Sequence, residues 1–588
     1  MGSVAGLSAV WVMPTEALGS RLATPLMPGS APSTLDQTIR IGSPSKGSYR
    51  VLAAAPGESY IPRVDLTGVA PSAARVGQRR SLFYCGHFSD LHIIDAQSPG
   101  RLEPLVAFDH SLFCGAFRPH DTLTSHVGAA MVQSVSDLRV SPVTGAPLAA
   151  AFVTGDSADQ MSELETRWYI DLLDGTPFVA NSGAADVYEG VQAWSETYWA
   201  YHPDNPAGDW FGDYGFPQVP GMLEAAVTEQ ADSGGLPSPW YTVYGNHDTL
   251  YMGTFAVPAA LKQFAIGQHK YYDWLALGLG YVQGWAADTT ALTRAWNAVS
   301  TNVGALYGSK TVTADPGRKL LEQTAFMQAH FSTTSNPGPV GHGFTQDNLT
   351  SGRTYWSADV GPFMRVFGLD TCNQIAGPDG AVPEAQFEWL REGLAQAGRD
   401  GKLCFILSHH NSFTLENDAQ LATEQQRLIH AEELIALLTG NPCVIAWLNG
   451  HTHNNTITAH RRPDGSPGGF WEITTASCID FPQQQQVLEV VDNRDGTLSI
   501  FTTVLDHASP VEWDGDLSPT GLASLSRQLA ANDWVQSPTM RIGSPLDRNT
   551  ELLMPAPFDL SRITDAAIET AQAADRARIM AWESGWPT

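Results

Sequence analysis

Five short apolar runs along the chain predict buried strands, and each ends in residues of the kinds that bind metal ions. The first run, Leu82-Phe83-Tyr84-Cys85, leads into Phe88-Ser89-Asp90-Leu91-His92. Apolar runs of this length are typical of strands that are covered on both faces. An Asp-x-His sequence on the loop after such a strand directs a carboxylate oxygen and an imidazole nitrogen towards one point. That pair is half of a first-row metal site.

The same arrangement recurs four more times along the chain. The runs that begin at Ala151, Trp240, Leu403 and Val444 lead, in that order, into Gly155-Asp156-Ser157-Ala158-Asp159, Gly245-Asn246-His247-Asp248, Ser408-His409-His410 and Asn449-Gly450-His451-Thr452-His453. One such coincidence is ordinary turn chemistry, but five in succession are not expected by chance. In α/β folds ligands bind at the carboxyl ends of the strands, so we expect these loops to converge.

The segments between these runs predict helices. They are Val127–Leu138, Gly221–Gln230, Pro383–Ala397 and Glu424–Leu438, and in the third Phe387, Leu390 and Leu394 recur at helical spacing. Alternation of strands and helices implies right-handed crossovers and a largely parallel core. After the fifth motif, further strands are predicted at Trp471–Thr475, Val487–Asp492 and Leu498–Leu505, with the last two joined as a hairpin through Asn493-Arg494-Asp495-Gly496.

Three regions are predicted along the 588 residues. Residues 1–75, rich in Pro, Ser, Gly and Ala, form a partly irregular leader with one strand near Tyr49-Arg50-Val51-Leu52. Residues 76–510 hold the five motifs, and residues 511–588 form a C-terminal extension that ends in a helix. The intervals before Asn246 and before His409 exceed one strand–helix unit, so we expect insertions near 175–235 and 250–350. Their aromatic stretches, 194–214 and 271–307, either line a substrate site or pack the insertions onto the core. Packing is favoured for any single side chain.

Charge restricts the partners of this chain. With 33 basic and 61 acidic residues, the formal net charge is −28, which argues against nucleic acid or an anionic membrane held by surface charge. A small phosphate ester bound at metal ions is not excluded, because the ions supply the local positive charge. No apolar run approaches the length of a membrane span. The sequence does not predict the oligomeric state.

The six cysteines show no CxxC pair or regular spacing. Cys85, Cys404 and Cys443 fall in the predicted strands, so we expect most of the thiols to be reduced and buried. A bridge that involves Cys114 or Cys372 stays open. The apolar segment Met1–Met13 has no basic residue before Arg21 and therefore lacks the charged region of an export signal. Neither a Gly-x-Ser-x-Gly elbow nor a phosphate-binding Gly-x-x-x-x-Gly-Lys-Ser/Thr loop occurs, which argues against a serine hydrolase and a P-loop nucleotidase.

The ordered set Asp-x-His, Gly-Asp-x-x-Asp, Gly-Asn-His-Asp, His and Gly-His-x-His resembles the calcineurin-like metallophosphoesterase superfamily, over about Leu82 to Leu505. The resemblance implies an α/β sandwich of two mixed β-sheets flanked by helices, here with large insertions. It also implies hydrolysis of a small phosphomonoester or phosphodiester, and these two remain open. The insertions are similar to those of an actinobacterial subgroup that generally carries twin-arginine export signals. We therefore expect export and a reading frame that continues upstream of Met1, with a cytoplasmic enzyme as the alternative.

The resemblance also implies a ligand set for two transition-metal ions. One ion would be held by Asp90, His92, Asp156 and His453, and the other by Asp156, Asn246, His409 and His451, with Asp156 bridging. Two ions roughly 3.5–4 Å apart can activate a bridging hydroxide and hold the phosphoryl oxygens. Because the set contains no thiolate, it favours Mn, Fe or Zn over a structural zinc site.

The same resemblance assigns roles around the ions. His247 would stabilise the transition state or protonate the leaving oxygen, and Asp248 would orient it. Asp159, His410 and Asn449 are expected to support the ligands, or else to be turn or structural residues. Arg318 and His342 are weaker candidates for contacts with the substrate phosphate, with surface turns favoured for both. The rival interpretation is a catalytically idle surface or scaffolding protein that keeps the ions for stability. The complete ligand set and His247 argue against it.

Overall fold

The computed structural model of the chain describes residues 33–68, 70–111, 113–257, 259–273, 308–333, 337–420, 426–536 and 541–585. The strands in these ranges are β1 (Gln37–Lys46), β2 (Tyr49–Pro56), β3 (Ile61–Arg63), β4 (Arg80–Phe88), β5 (Ala150–Val153), β6 (Trp240–Thr242), β7 (His269–Tyr271), β8 (Ser309–Thr311), β9 (Trp356–Val360), β10 (Met364–Gly368), β11 (Val382–Pro383), β12 (Leu403–Leu407), β13 (Leu428–Ile429), β14 (Val444–Asn449), β15 (Thr456–Arg461), β16 (Gly469–Thr474), β17 (Gln484–Asp492), β18 (Thr497–Asp506) and β19 (Thr550–Pro555). All five strands predicted before the motifs are present, as β4, β5, β6, β12 and β14.

Two large sheets carry these motif strands. One has the order β15-β16-β14-β12-β10-β9, in which β10, β12, β14 and β16 run parallel and the two edge strands run antiparallel. The other has the order β3-β19-β18-β17-β4-β5-β6, in which β4, β5 and β6 run parallel. The two sheets are therefore both mixed, as the predicted sandwich requires.

The prediction of a largely parallel core is wrong for half of the second sheet. Strands β17 and β18 pair antiparallel with each other, β17 pairs antiparallel with β4, and β18 pairs antiparallel with β19. The short turn through Asn493-Arg494-Asp495-Gly496 explains the first of these pairings, since a tight turn joins only antiparallel strands. The predicted hairpin is confirmed.

The helices lie on the outer faces and in the connections. Their bounds are Arg75–Gln78, Leu105–Phe108, Thr124–Asp137, Glu163–Asp174, Trp210–Tyr214, Met222–Thr228, Ala259–Ala265, Gln323–Ala329, Gln346–Ser351, Glu384–Asp400, Ala431–Thr439, Pro519–Ala530 and Asp565–Glu583. The helix predicted over Glu424–Leu438 begins later, at Ala431, and residues 421–425 lie outside the described ranges. Leu428 and Ile429 instead form β13, which pairs with β11, so tertiary pairing overrides the local helical preference there.

The two sheets pack face to face around one aromatic centre. The Phe405 ring on β12 lies 6.1 Å from the Phe83 ring and 6.2 Å from the Phe152 ring, both edge to face. Phe83 and Phe152 belong to β4 and β5 of the opposite sheet. The motif strands are thus covered on both faces, and this coverage explains why their sequences are continuously apolar.

Both ends of the chain join this sandwich. Within the predicted leader, β1 and β2 form a hairpin, and β3 pairs in parallel with β19 from the C-terminal extension. The last predicted helix is present at Asp565–Glu583, and Gln572 in it donates a hydrogen bond to the Ser81 carbonyl of β4. Residues 1–32, with the apolar Met1–Met13 segment, lie outside the described residues.

Three aromatic side chains of the first insertion pack inward, whereas Tyr198 is exposed. Trp199, Tyr201 and Phe211 are buried in one cluster, where Phe211 meets Phe117 and Trp534 at ring distances of 5.9 and 4.9 Å. Packing is therefore the interpretation that holds for these three side chains. Most of the second aromatic stretch, residues 274–307, lies outside the described residues.

The six cysteines are free thiols, and Cys85, Cys404 and Cys443 are buried as predicted. Cys85 and Cys404 lie in β4 and β12, whereas Cys443 lies immediately before β14. Neither Cys114 nor Cys372 forms a bridge. Within the described ranges, no helix combines the length and apolarity that crossing a membrane needs.

Candidate metal centre

The predicted ligands meet where the carboxyl ends of the two sets of parallel strands face each other. In one sheet Asp90 and His92 follow β4, Asp156 follows β5 and Asn246 follows β6. In the other sheet His409 follows β12, and His451 and His453 follow β14. Each sheet therefore contributes part of the cluster, at the edge where α/β folds bind ligands.

Asp90, His92 and His453 form a first group of buried side chains. Their ligand atoms lie within 4.8 Å of one another. His453 Nε2 is 3.2 Å from Asp90 Oδ1, and His92 Nε2 is 4.0 Å from the same oxygen. Asp156 adjoins this group, because its Oδ2 lies 3.7 Å from His92 Nε2.

A second group forms on the other side of Asp156. The same Asp156 Oδ2 is 3.1 Å from His409 Nε2, which in turn is 3.1 Å from His451 Nδ1. His451 Nδ1 lies 3.0 Å from Asn246 Oδ1. All seven predicted ligands thus stand in one continuous cluster, in which Asp156 is shared by both groups.

Two atoms in this cluster indicate that a cation belongs there. Asp90 Oδ1 and His92 Nε2 are buried and have no hydrogen-bond partner among the described residues. A buried carboxylate oxygen without a partner is costly, whereas a bound cation would satisfy both atoms. The oxygen and imidazole donors, without a thiolate, suit Mn, Fe or Zn.

The ionisation of the histidines fits the same interpretation. Burial lowers the pKa of His92, which favours the neutral imidazole that binds metals. Burial also lowers the pKa of His409, but the Asp156 and Asp90 carboxylates outweigh it and raise the value to about 9. The carboxylates therefore attract a positive charge to this point, and a metal ion supplies that charge in place of a proton.

Five of the seven ligands have a left-handed backbone. Their φ angles are +53° at Asp90, +44° at His92, +51° at Asp156, +68° at His451 and +57° at His453. Such angles cost about 1–2 kcal/mol for a residue with a Cβ, and they concentrate at functional sites.

Hydrogen bonds between the ligand loops hold these conformations. Asp90 N donates to Gly155 O at 2.9 Å, and His92 N donates to Asp156 O at 3.0 Å. The backbone N of His451 donates to Asp90 Oδ2 at 3.0 Å. The loops therefore support one another.

The glycines of two motifs allow these loops to touch. At Gly155, with φ +92°, an added Cβ would lie 2.5 Å from the backbone N of Gly245. At Gly245 an added Cβ would lie 2.1 Å from Asp156 Oδ1. A side chain at either position would separate the loops that carry Asp156 and Asn246.

His247 stands beside the ligands with one nitrogen already committed. Its Nδ1–H donates to the Asp159 carbonyl at 2.7 Å, and its backbone N donates to Asp156 Oδ1 at 2.8 Å. The ring centre is 4.7 Å from that of His92. Because Nδ1 is engaged, Nε2 is the nitrogen left to meet a substrate.

Asp248 holds the loops instead of contacting the His247 ring. Its Oδ1 accepts from the backbone N of Ser157 and of Ala158 at 3.1 and 3.0 Å, and its Oδ2 accepts from Gly245 N at 2.8 Å. The hydrogen bond that orients the His247 ring is the one that its Nδ1–H donates to the Asp159 carbonyl. The expected role of Asp248, orienting His247, is therefore not supported by a direct contact between the two side chains.

The candidate supporting residues differ in what they touch. Asp159 Oδ1 accepts from His92 Nδ1 at 2.9 Å. His410 has both ring nitrogens engaged, with the Thr371 hydroxyl and the Pro378 carbonyl, each at 2.8 Å. Asn449 donates to Glu472 at 2.9 Å and accepts from Thr474 at 2.6 Å within the sheet.

Arg318 and His342 lie away from the cluster and are fully buried, so the surface-turn interpretation is wrong for both. Arg318 donates to the Ser182 hydroxyl at 2.8 Å. His342 stacks on the Trp240 ring at 3.4 Å and contacts His330. Buried hydrogen bonds hold Arg318, whereas His342 Nε2 is buried without a hydrogen-bond partner among the described residues.

Sequence reasoning missed a second carboxylate behind the ligands. Asp480 Oδ2 accepts from His453 Nδ1 at 2.6 Å, and Asp480 is bound in turn by Arg118 and, at 3.2 Å, by Arg541. Asp480 follows β16 closely, so it repeats the pattern of a strand that ends in a ligand residue type. Arg101, which binds Asp159, has no such signal in the sequence.

Two known proteins show similarity to this chain. No family model matches the chain. The manganese-dependent ADP-ribose/CDP-alcohol diphosphatase of Xenopus laevis is 23% identical over 108 residues, which are 18% of this chain and 27% of that protein. The match thus spans about a quarter of that relative's length. A solved structure of a dimetal phosphatase from Danio rerio aligns over 73% of this chain and 100% of its own, with 9% identity and a TM-score of 0.31.

The clustered ligand atoms and the diphosphatase relative both agree with the resemblance of the motifs to the metallophosphoesterase superfamily.

Proposed function

We propose that this chain hydrolyses small phosphate esters at two metal ions held by Asp90, His92, Asp156, Asn246, His409, His451 and His453. The observation that carries the proposal is the pair of ligand groups that share Asp156. One of these groups holds the buried, unpartnered Asp90 Oδ1 and His92 Nε2.

Each side chain has a task that its chemistry explains. When bound, the two ions would supply Lewis-acid activation of water and neutralise charge on the phosphoryl oxygens. Asp156 stands between the groups, and its orientation is held by the backbone N of His247. Asn246 is neutral, so the second group carries less negative charge than it would with a second carboxylate beside Asp156. A phosphate can therefore approach.

His247 would manage a proton at the leaving oxygen. Its Nδ1–H is held by the Asp159 carbonyl, so in the neutral ring Nε2 carries no proton and accepts. In the protonated ring Nε2–H donates, and this is the form that would protonate a leaving alkoxide. The carbonyl thus sets both the ring orientation and the tautomer.

The activity of the Xenopus laevis relative narrows the first substrates to test. It acts on ADP-ribose and CDP-alcohols and depends on manganese. We propose manganese as the first ion to test, before iron and zinc, and add diphosphate esters to the phosphomonoesters and phosphodiesters that the motifs leave open.

The test begins with protein stripped of metal by a chelator and reloaded with one ion at a time. Hydrolysis of p-nitrophenyl phosphate, bis(p-nitrophenyl) phosphate and ADP-ribose is then compared. We expect turnover only with metal, and its loss in Asp156→Asn but not in Asp464→Asn, a change on an exposed turn. Folded, metal-loaded protein that hydrolyses none of these compounds would favour the idle, metal-stabilised alternative.

A further inference from the structure

Both histidines of the first ligand group are backed by buried carboxylates. His92 Nδ1 donates to Asp159 Oδ1 at 2.9 Å, and His453 Nδ1 donates to Asp480 Oδ2 at 2.6 Å. In each case Nε2 is left to face Asp90. The two rings are therefore held in the same way, although their carboxylates come from distant parts of the chain.

An arginine holds each of these carboxylates from behind. Arg101 Nη1 binds the second oxygen of Asp159. Arg118 meets Asp480 with two bonds, from Nε at 2.7 Å and from Nη2 at 3.3 Å. Both guanidinium groups are buried, and a two-pronged contact of this kind fixes a carboxylate plane as well as its charge.

Asp121 connects the two arginines. Its Oδ2 accepts from Arg101 Nη2 at 2.8 Å and from the backbone N of Arg118 at 3.1 Å. The chain of hydrogen-bonded residues therefore runs in the order His92, Asp159, Arg101, Asp121, Arg118, Asp480 and His453. It is a closed frame that begins and ends on ligands of one group.

Each of the two carboxylates is therefore bound on two sides. Asp159 lies between His92 and Arg101, and Asp480 lies between His453 and Arg118.

The second ligand group is backed differently. His409 Nδ1 donates to the backbone carbonyl of Thr154 at 2.8 Å. His451 Nδ1 faces Asn246, and its Nε2 lies 3.9 Å from Asp379, a half-exposed carboxylate beyond hydrogen-bond distance. In the part of the chain that the structure describes, no buried carboxylate held by an arginine hydrogen-bonds to either ring from outside the cluster.

We infer that Arg101 and Arg118 are positioning residues that make the ion site of Asp90, His92 and His453 the tighter of the two. The inference rests on the proposed function, because it requires that the cluster binds metal. A carboxylate that accepts from Nδ1–H raises the basicity of Nε2 and fixes the ring, and loss of such a partner typically weakens metal binding about 10–100-fold. The arginine binds that carboxylate from behind and holds it against the histidine ring.

A purely structural ion pair would behave differently. Buried pairs of this kind are weak evidence for stability, and breaking one destabilises the whole fold. Such a loss would not distinguish the two ions. The distinguishing readout is therefore the affinity of each ion, measured without substrate.

The experiment titrates Mn²⁺ into metal-free protein, by calorimetry and by competition with a chelator. We expect two binding events of different affinity in the unmodified chain. Arg101→Met and Arg118→Met should each weaken the tighter event about 10–100-fold and leave the weaker event within a few-fold. Arg527→Met is the matched control, since Arg527 is buried and binds His507, and among the described residues it makes no hydrogen bond to a ligand, to Asp159 or to Asp480.

A second pair of variants tests the same inference if the arginine variants fail to fold. Asp159→Asn and Asp480→Asn keep an oxygen for the histidine but remove the charge, and they should weaken the same event. Equal weakening of both events, or a change in thermal stability without a change in either affinity, would overturn the inference. If the unmodified chain binds no Mn²⁺ at all, the proposed function itself fails. Two ions of equal affinity refute only the present inference.

Discussion

The contact between Gly155 and Gly245 allows a sharp test of the metal centre. Gly155→Ala places a Cβ 2.5 Å from Gly245 N, 2.7 Å from Gly245 Cα and 2.8 Å from the Tyr244 carbonyl carbon. All three atoms belong to the backbone, so no side chain can rotate away. Because non-bonded atoms prefer about 3.5–4 Å, one loop must move by about 1 Å.

The energetic cost has two separable parts. An alanine at φ +92° costs about 1–2 kcal/mol for the left-handed backbone alone. Overpacking a close-packed site adds about 1–3 kcal/mol. Gly155→Ala should therefore lower the free energy of unfolding by about 2–5 kcal/mol, and it should displace Asp156 and Asn246, which adjoin these glycines.

Gly208 provides a matched control for the backbone part. It has the same φ of +92°, and an added Cβ there meets nothing within 4 Å. Gly208→Ala should cost about 1–2 kcal/mol and leave the ligands in place. The difference between the two variants isolates the loop contact.

Urea unfolding of the metal-free proteins, followed by tryptophan fluorescence, measures stability without the ions' contribution. Metal content after reconstitution is measured separately. We expect Gly155→Ala to lose affinity for both ions, because Asp156 serves both groups, whereas Gly208→Ala retains both. If the two variants are equally destabilised, or if Gly155→Ala keeps full affinity, the account of the touching loops is wrong.

Three further predictions follow from single residues and from the ions. His247→Ala should retain two ions by metal analysis but lower turnover about 10²–10⁴-fold, and loss of the ions together with activity would make His247 a ligand. His410→Ala should destabilise the protein by about 1–3 kcal/mol, because the Pro378 carbonyl and the Thr371 hydroxyl lose their partner. Metal content should not change in this variant, and loss of an ion would show that His410 binds metal. Chelation should lower the melting temperature, since an ion at about 100 times its Kd contributes about 2.7 kcal/mol; an unchanged melting temperature in protein shown to lose metal would contradict the fit of the cluster.

The clustering of the seven predicted ligands could be predicted because it depends on local features. Each ligand follows an apolar run, and parallel strands bring such loops to one edge regardless of what lies between them. Asp156 and His409 are far apart in sequence, yet both stand at strand ends of the sandwich. The five motifs therefore predicted both the strands of the fold and the position of the ligand cluster.

The supporting residues were not predictable for the opposite reason. Arg101 and Arg118 lie in the connection after β4. Arginines in such a connection are usually exposed at the surface. Only the folded chain shows that they are buried against Asp159 and Asp480. The same applies to Arg541, which reaches Asp480 from the region predicted as a C-terminal extension. Arg318 and His342 were misjudged because glycine-rich turns suggest exposure, whereas here both turns fold into the core.

The left-handed backbone of five proposed ligands predicts that the centre gains and loses its ligands as one unit. Asp90, His92 and Asp156 adopt angles that an isolated loop would avoid, and the bonds that hold them run between loops. Asp90 N needs the Gly155 carbonyl, and His92 N needs the Asp156 carbonyl. A disturbance of one loop therefore releases the conformation of its neighbour, so ligands of different strands should be gained or lost together. This coupling is also why a single methyl group at Gly155 is expected to affect both ions.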